Sequence, residues 1–206
     1  VYKYNGNDWE IIGTFDGEAA YDQYGMCVSL NNDGTILAIG GPHNRSKGHV
    51  RIYQWNGSSL TQLGSDIDGE NGGDESGYAV SLSSDGTIIA IGSPRHDALK
   101  GHVRIYKWDG STWNQLGSDI DGENGGDESG FMISLNSDGT IVAIGSEKND
   151  AGGGANDNVG HLRVYQWDGS SWNQMGDDID GEAADNLFGS AISLSSDGSV
   201  LLASAY

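Results

Sequence analysis

Short apolar segments separated by polar, glycine-containing turns run along the whole chain. One of them, residues 49–55, is rich in β-branched and aromatic residues and ends at a turn, residues 56–59. Residues 78–82 alternate between apolar and polar, whereas residues 87–92 are apolar on both faces of a strand and therefore have to be buried on both. No segment repeats its apolar positions every 3.6 residues over a helical length. The pattern predicts an all-β fold.

This pattern recurs four times. A Tyr-X-Trp-Asx-Gly motif begins at Tyr53, Tyr106 and Tyr165, and a cruder copy begins at Tyr2, so successive copies are 51, 53 and 59 residues apart. In the second copy the predicted strands are residues 49–55, 60–64, 78–82 and 87–92. An acidic loop, residues 65–76, and an Asp-Gly hairpin turn, residues 83–86, connect them. Repeats of this length indicate an array of similar units.

Four antiparallel strands in each repeat, with one strand buried on both faces, are typical of a propeller blade. The sequence thus predicts one β-propeller domain over residues 1–206, made of four repeats of ~52 residues. Three blades are expected whole, at residues 25–67, 77–120 and 130–179, and a fourth is split between residues 1–15 and 189–206. A closed four-bladed ring and a part of a larger propeller both fit, since the strand count favours closure and the abrupt start at Val1 favours a cut.

Charge and composition narrow the classes of function. The chain carries 30 acidic and 10 basic residues, a net charge of -20, so we expect no binding to nucleic acid or to anionic lipid. No run of about 18 apolar residues is present, which predicts that the chain does not insert into a membrane. Cys27 is the single cysteine, so no disulfide framework forms within the chain, and the compartment stays open.

The repeats resemble the FG-GAP repeat of integrin-α-type β-propellers. The Phe-Gly half is kept at Phe188-Gly189, and the Gly-Ala-Pro half has a counterpart at Gly92-Ser93-Pro94. The resemblance implies an extracellular or cell-surface adhesion or ligand-binding module, with Ca²⁺ in the turn between two strands. Here that turn keeps one carboxylate per repeat, at Asp33, Asp85, Asp138 and Asp197, whereas Ca²⁺ takes six to eight oxygens. We therefore interpret these turns as structural hairpins.

The acidic loops are better candidates for a metal. Their clustered carboxylates and glycines suit Ca²⁺, which would be the only cofactor. The alternative is a solvated loop whose acidic side chains cap turns. The candidate ligands are Asp16, Glu18, Asp22, Asp66, Asp68, Glu70, Asp74, Asp119, Asp121, Glu123, Asp127, Asp178, Asp180 and Glu182.

The loops that follow the Gly-Pro position vary most among the repeats, and variable loops on a rigid scaffold tend to carry function. Their basic and polar residues are the candidate partner-binding rim. These residues are His43, Arg45, Lys47, Arg95, His96, Lys100, Lys148 and Asn149.

Other repeated side chains are assigned structural roles. The repeated arginines Arg51, Arg104 and Arg163 are expected to pair with carboxylates of the acidic loops. The repeated tyrosine and tryptophan residues are expected to pack between blades.

Motifs for catalysis are missing from the sequence, which contains no nucleophile elbow, phosphate loop or zinc-binding pattern. The sequence therefore predicts a non-catalytic extracellular or cell-surface module that binds protein or glycan, or that associates with itself into a larger assembly. The alternatives are a calcium-dependent lectin and a propeller-fold polysaccharide hydrolase.

Overall fold

A computed structural model describes residues 1–44, 47–150 and 157–205. Within these residues the chain forms nineteen strands and one short helical turn. The strands before the helical turn are β1 (Tyr2–Tyr4), β2 (Trp9–Ile11), β3 (Cys27–Leu30), β4 (Ile36–Gly41), β5 (His49–Trp55), β6 (Leu60–Gln62), β7 (Ile67–Asp68), β8 (Ala79–Leu82) and β9 (Ile88–Ser93). After α1 (His96–Leu99) come β10 (His102–Trp108), β11 (Trp113–Gln115), β12 (Ile120–Asp121), β13 (Met132–Leu135), β14 (Ile141–Ser146), β15 (His161–Trp167), β16 (Trp172–Gln174), β17 (Ile179–Asp180), β18 (Ala191–Leu194) and β19 (Leu201–Ser204).

Three sheets are complete blades with the same strand order. Blade 1 is β3-β4-β5-β6, blade 2 is β8-β9-β10-β11 and blade 3 is β13-β14-β15-β16, and all neighbouring strands are antiparallel. The predicted all-β propeller architecture with four blade equivalents is confirmed. Each blade also has a short fifth strand that the sequence did not reveal. In blade 1 it is β7, which pairs with the start of β5 through His49↔Asp68 and Val50↔Ile67.

The hydrophobic core lies between the blades. Along β9, Ile89 and Ile91 pack toward blade 1, whereas Ile88 and Ala90 pack toward blade 3. All six residues of β9 are buried. The prediction that this strand is covered on both faces is thus confirmed, because neighbouring blades supply the two covers.

Hydrogen bonds join consecutive blades at regular positions. The backbone N–H of Leu82 donates to Ser29 Oγ at 3.0 Å, and the same bond links Leu135 to Ser81 and Leu194 to Ser134. Each bond runs from an amide of one blade to a hydroxyl of the blade before it. The first strands of successive blades, β3, β8, β13 and β18, are therefore held in a fixed register with one another.

The Asp-Gly turns are structural hairpins, as predicted. Asp85 Oδ1 accepts hydrogen bonds from the Thr87 N–H at 2.9 Å and from Ser83 Oγ at 2.7 Å. Asp33, Asp138 and Asp197 bond in the same way to the residue two positions further along the chain. We call this end of the blades the turn end. It comprises residues 31–34, 83–86, 136–139 and 195–198.

Two half-blades flank the three complete blades. Strands β1 and β2 form one two-stranded sheet and β18 and β19 form another, and the described residues show no pairing between these sheets. Both carry exposed apolar side chains, among them Trp9 at 65% and Leu202 at 72%. The joining of these halves into one split blade stays a prediction.

The helical turn α1 has an unusual backbone. Asp97, Ala98 and Leu99 have φ angles of 44°, 56° and 65°, which place three consecutive non-glycine residues in the left-handed region. The described residues contain no helix of the length and apolar character needed to span a bilayer.

Candidate functional site

The variable loops and the acidic loops meet at the end of the blades opposite the turn end, which we call the rim end. It comprises the described parts of the rim loops, residues 42–44, 47–48, 94–101, 147–150 and 157–160, and the acidic loops, residues 65–76, 118–129 and 177–188. The short strands β7, β12 and β17 bring the two sets together, since each pairs with the first residues of the strand that follows a rim loop. Residues 45–46 and 151–156 lie outside the described part, and with them the predicted partner residue Arg45.

At each complete blade, a buried aspartate of the acidic segment that precedes the blade anchors that segment to the rim loop. Asp74 Oδ2 accepts the Asn71 N–H at 2.7 Å and lies 3.1 Å from His96 Nδ1. In blade 3, Asp127 Oδ2 accepts the Asn124 N–H and the Asn149 side-chain amide, both at 2.9 Å. Asp22 has the same place near blade 1, where it bonds to Ala19 N and Asn44 Nδ2. These three predicted metal ligands are therefore buried loop anchors.

The glutamate that follows this aspartate pairs with the basic residues of the rim. Glu75 Oε1 lies 3.0 Å from His43 Nε2 and 3.2 Å from Arg95 Nη1. Glu128 accepts a bond from Lys148 Nζ at 2.9 Å. Both glutamates are buried, so their charges need these partners.

The other predicted rim residues are placed as follows. Lys47 Nζ donates to the backbone carbonyl of Glu70 at 2.9 Å, and Lys100 is half-buried just before β10. Most of the candidate partner residues thus already contact groups within the chain, and their role in binding a partner stays a prediction.

Each repeated arginine lies near a carboxylate of an acidic loop, as predicted, and Arg104 and Arg163 reach Glu70 and Glu123 at 3.8 and 3.9 Å. Arg104 and Arg163 tie their blade to the acidic loop before it, whereas Arg51 also bonds to the loop that follows its own strand. Arg51 bonds to both oxygens of Asp66 at 2.9–3.0 Å and also to Glu18. Arg104 Nη2 donates to Asp68 O at 2.7 Å, and Arg163 Nη2 makes the same bond to Asp121 O. These arginines are structural ties between neighbouring repeats.

A buried histidine begins the third strand of every complete blade. Nδ1 of His49, His102 and His161 lies 3.8, 3.4 and 3.7 Å from a carboxylate oxygen of Asp66, Asp119 and Asp178, respectively. Nε2 of each ring is buried without a hydrogen-bond partner in the described structure.

Burial keeps these imidazoles neutral. Removal from water, followed by the positive charges of His96 and Arg104, lowers the pKa of His102 to about 4. Burial and the neighbouring arginine also lower the pKa of His49 and of His161. A neutral imidazole with an unpartnered nitrogen can bind a metal ion.

The donor groups at the rim end do not fit Ca²⁺. The described residues form four groups that bring three potential ligand atoms within 4.8 Å, and every group contains at least one histidine and at most two carboxylates. Ca²⁺ takes six to eight oxygens and no imidazole. The four groups are His49/Asp66/Asp68, His102/Asp119/Asp121, Glu123/His161/Asp178 and Glu70/His96/His102.

The remaining predicted calcium ligands join none of these described groups. They are Asp16, Glu18, Asp22, Asp74, Asp127, Asp180 and Glu182. Calcium binding itself stays a prediction.

Blade 2 differs from its neighbours at the rim. Its rim loop contains the left-handed turn α1, and the His96 ring stacks on the His102 ring with centroids 4.0 Å apart and planes 15° apart. Residues 71–74 and 95–98 line a cleft of about 390 Å³ beside this pair. Backbone strain of this kind clusters at functional sites, so we take this cleft as the candidate site.

Known structures share this architecture. The chain has the fold of a β-propeller. Sqt1 from Chaetomium thermophilum matches it with a TM-score of 0.58 at 15% identity, over 89% of this chain and 41% of that one. Sqt1 from Saccharomyces cerevisiae matches with a TM-score of 0.54 at 10% identity, over 84% and 39%. TolB from Acinetobacter baumannii matches with a TM-score of 0.51 at 14% identity, over 86% and 36%.

These likenesses establish the fold, and the chain spans about two fifths of the length of those structures. No protein-family model matches the chain, and no curated protein does.

Sequence reasoning assigned two neighbouring residues to separate roles. It placed Glu70 in a calcium loop and His96 on a partner-binding rim, whereas the structure brings both beside the buried His102. The signal in the sequence was the histidine at position 96, where the other complete repeats have Asn44 and Asn149.

Proposed function

We propose that this chain is a non-catalytic β-propeller module that binds a protein partner carrying a basic surface. The observation that carries the proposal is the rim cleft of blade 2, where a loop with three consecutive left-handed residues lies on a scaffold that the other repeats share. Loops on rigid scaffolds are common binding elements, and strain is retained where the surrounding structure holds it in place.

The charge of the chain supports a basic partner. A net charge of -20 attracts cationic surfaces and raises their rate of association at low ionic strength. The repeated use of the same side chains in each blade supports a scaffold role, since a catalytic site needs one asymmetric set of groups. The propeller fold that the chain shares with TolB and Sqt1 is compatible with this role.

The test is a binding panel that separates the classes of ligand. The chain is titrated into fluorescent peptides rich in Lys and Arg, into acidic peptides of matched length, and onto a glycan array. We expect binding to basic peptides that weakens steeply as salt is raised. In a variant whose residues 94–100 are replaced by the blade 1 sequence of residues 42–47, we expect this binding to be lost while the melting temperature stays within a few degrees.

The matched control changes the opposite end of the same blade. Thr112→Ser gives the turn at residues 109–112 the sequence found in blade 3, and it should leave binding unchanged. Equal binding by the loop-swap variant, or binding to glycans alone, would contradict the proposal. Turnover of a polysaccharide by the chain would replace it with the hydrolase.

We also propose that the repeats are of the FG-GAP type and that the module acts outside the cell or at its surface. The sequence resemblance supports both statements. Gly92-Ser93, the counterpart of the Gly-Ala-Pro half, ends strand β9, and Phe188-Gly189, the Phe-Gly half, comes just before strand β18. Protection of the chain from protease in intact cells of its source would contradict the surface location.

A further inference from the structure

Two imidazoles and one carboxylate converge beside the rim cleft of blade 2. Glu70, His96 and His102 each offer one ligand atom, and these atoms lie within 4.8 Å of one another. Glu70 belongs to the acidic loop that leads out of blade 1, whereas His96 and His102 belong to blade 2. The three side chains thus meet across the junction of two blades.

A carboxylate lies beside Nδ1 of each imidazole. Asp74 Oδ2 is 3.1 Å from His96 Nδ1, and Asp119 Oδ2 is 3.4 Å from His102 Nδ1. Histidines that bind metal ions commonly present one nitrogen to a carboxylate, which orients the ring and makes the other nitrogen a better ligand. Nε2 of each ring is then the nitrogen that can serve as a ligand.

His102 supplies an independent sign of a missing ligand. The residue is 0% exposed, and neither ring nitrogen makes a hydrogen bond within the described residues. A buried polar group without a partner costs free energy comparable to a lost hydrogen bond. A bound cation at Nε2 would satisfy this atom.

The neighbouring repeats show which residue makes blade 2 different. His49 and His161 also have an unpartnered Nε2, but Asn44 and Asn149 stand at the position of His96. Each of these asparagines uses its amide to bond the buried aspartate of its loop. Of the complete blades, blade 2 is thus the one that adds a second imidazole to the shared histidine and acidic loop.

We propose that Glu70, His96 and His102 form a binding site for a divalent transition-metal ion, with Zn²⁺ as the best-fitting cation. Two imidazoles and one carboxylate are a common ligand set for zinc, with water in the fourth position. Imidazole donors also select against Ca²⁺ and Mg²⁺, which prefer oxygen. Binding of the metal at these three residues does not depend on the proposed protein partner.

Binding requires a small rearrangement. Tetrahedral zinc with bonds near 2.1 Å holds its ligand atoms about 3.4 Å apart, so any ligand atoms that are further apart have to move closer together. The two nearly parallel rings must also tilt so that their nitrogen lone pairs converge. Arg104 Nη1 lies 3.8 Å from Glu70 Oε1 and competes for that carboxylate, although Arg104 keeps its bond to Asp68 O.

The test is metal binding by the whole chain after treatment with EDTA and removal of the chelator. We expect one tightly bound Zn²⁺ per chain by titration calorimetry, a rise of several degrees in the melting temperature, and no comparable effect of Ca²⁺. Co²⁺ in place of Zn²⁺ should give the visible absorption of a tetrahedral site. Weak binding of several Zn²⁺ ions per chain, or equal effects of Zn²⁺ and Ca²⁺, would overturn the proposal.

Two variants exploit the repeats as internal controls. His96→Asn gives blade 2 the residue found in blades 1 and 3, so it should fold normally and bind Zn²⁺ about 100-fold more weakly. Asn149→His gives blade 3 the second imidazole beside His161 and Glu123, and the expected result is two Zn²⁺ ions per chain. Unchanged affinity in His96→Asn, or a stoichiometry of one in folded Asn149→His, would show that the second imidazole does not make the site.

Discussion

The two ends of each blade differ in how closely their hydrogen bonds are repeated from one blade to the next. At the turn end, the aspartate of each Asp-Gly hairpin accepts the backbone N–H two positions further along the chain, and the hairpin backbones also bond from one blade to the next, as in Ser84 N to Ser137 O at 2.8 Å. At the rim end, the buried aspartate is constant but its partner changes, being Asn44, His96 or Asn149. Residues that contact the next blade are therefore similar in all repeats. Residues that contact a rim loop can differ between repeats without disturbing the contacts between blades.

The largest loss of stability is expected for a substitution at a close backbone contact between two blades. A Cβ at Gly92 would collide with the carbonyl oxygen of Gly130 in the next blade, and Gly40 and Gly145 face the same contact. Gly92→Ala should destabilise the chain by about 3 kcal/mol or more, because two backbones must separate. Chemical denaturation measures this value. Gly72→Ala in the acidic loop, where a Cβ meets nothing within 4 Å, is the matched control and should be mild.

A smaller effect is expected at the constant aspartate of the rim. Asp127→Ala removes the acceptor for the Asn124 N–H and for the Asn149 amide, both of which then need new partners. We expect a loss of about 2 kcal/mol in the free energy of unfolding. Amide hydrogen exchange should become faster in residues 118–129 and in the blade 3 rim loop at residues 147–150 and 157–160, and should stay unchanged elsewhere. Uniform exchange across the three blades would mean that the rim is coupled to the whole stack.

The groups at the two ends should lose their contributions to stability in different pH ranges, with the rim end affected first as the pH falls. Because the folded pKa of His102 lies below the pKa of about 6.5 of an unfolded histidine, the unfolded chain binds more protons between these values. Stability is then fully present above pH 6.5 and falls as the pH drops toward 4, by several degrees in melting temperature measured with EDTA present.

The turn end should respond only at lower pH. Hydrogen bonds from Thr87, Thr35 and Thr140 help to lower the pKa of Asp85, Asp33 and Asp138, so their contribution is lost below about pH 4. His102→Gln should reduce the phase between pH 6.5 and 4, to which His49 and His161 also contribute, and leave the lower phase in place. A single phase below pH 4 in the unaltered chain would contradict this separation.

The smallest effect is expected for a single hairpin carboxylate. Asp85→Ala removes the acceptor for the Thr87 N–H in an exposed turn, where water can replace it. We expect a loss of roughly 0.5–1 kcal/mol. Thermal melts of Asp33→Ala and Asp138→Ala should agree closely, since each carboxylate accepts the N–H and the hydroxyl of the threonine two positions further along the chain. A difference of several degrees between them would show that the turn end is less uniform than its geometry.

The fold could be predicted from the sequence because the same pattern of strands and turns occurs in four copies. Predicted strand 49–55 matches β5, and the doubly apolar segment 87–92 matches β9 within one residue. The short strand β7 was missed because two residues, Ile67 and Asp68, carry no detectable alternation. The left-handed turn α1 was missed because Asp97, Ala98 and Leu99 have no glycine to mark it.

The site was harder to predict than the fold. The acidic residues look equivalent along the chain, but the structure divides them into buried anchors such as Asp74, partners of arginine such as Asp66 and exposed residues such as Glu70. That division depends on which loop lies across the junction, and contacts between blades are not encoded in local spacing. A comparison of repeats position by position would have found His96.

The serine bonds between blades have a consequence for how such an array can grow. Ser81 receives the amide of Leu135, while Leu82 beside it donates to Ser29. One repeat therefore carries both halves of the junction, two residues that are adjacent in sequence. A tandem duplication of the gene segment adds one complete new joint and leaves the old ones unaltered, so the number of repeats can change without any compensating mutation.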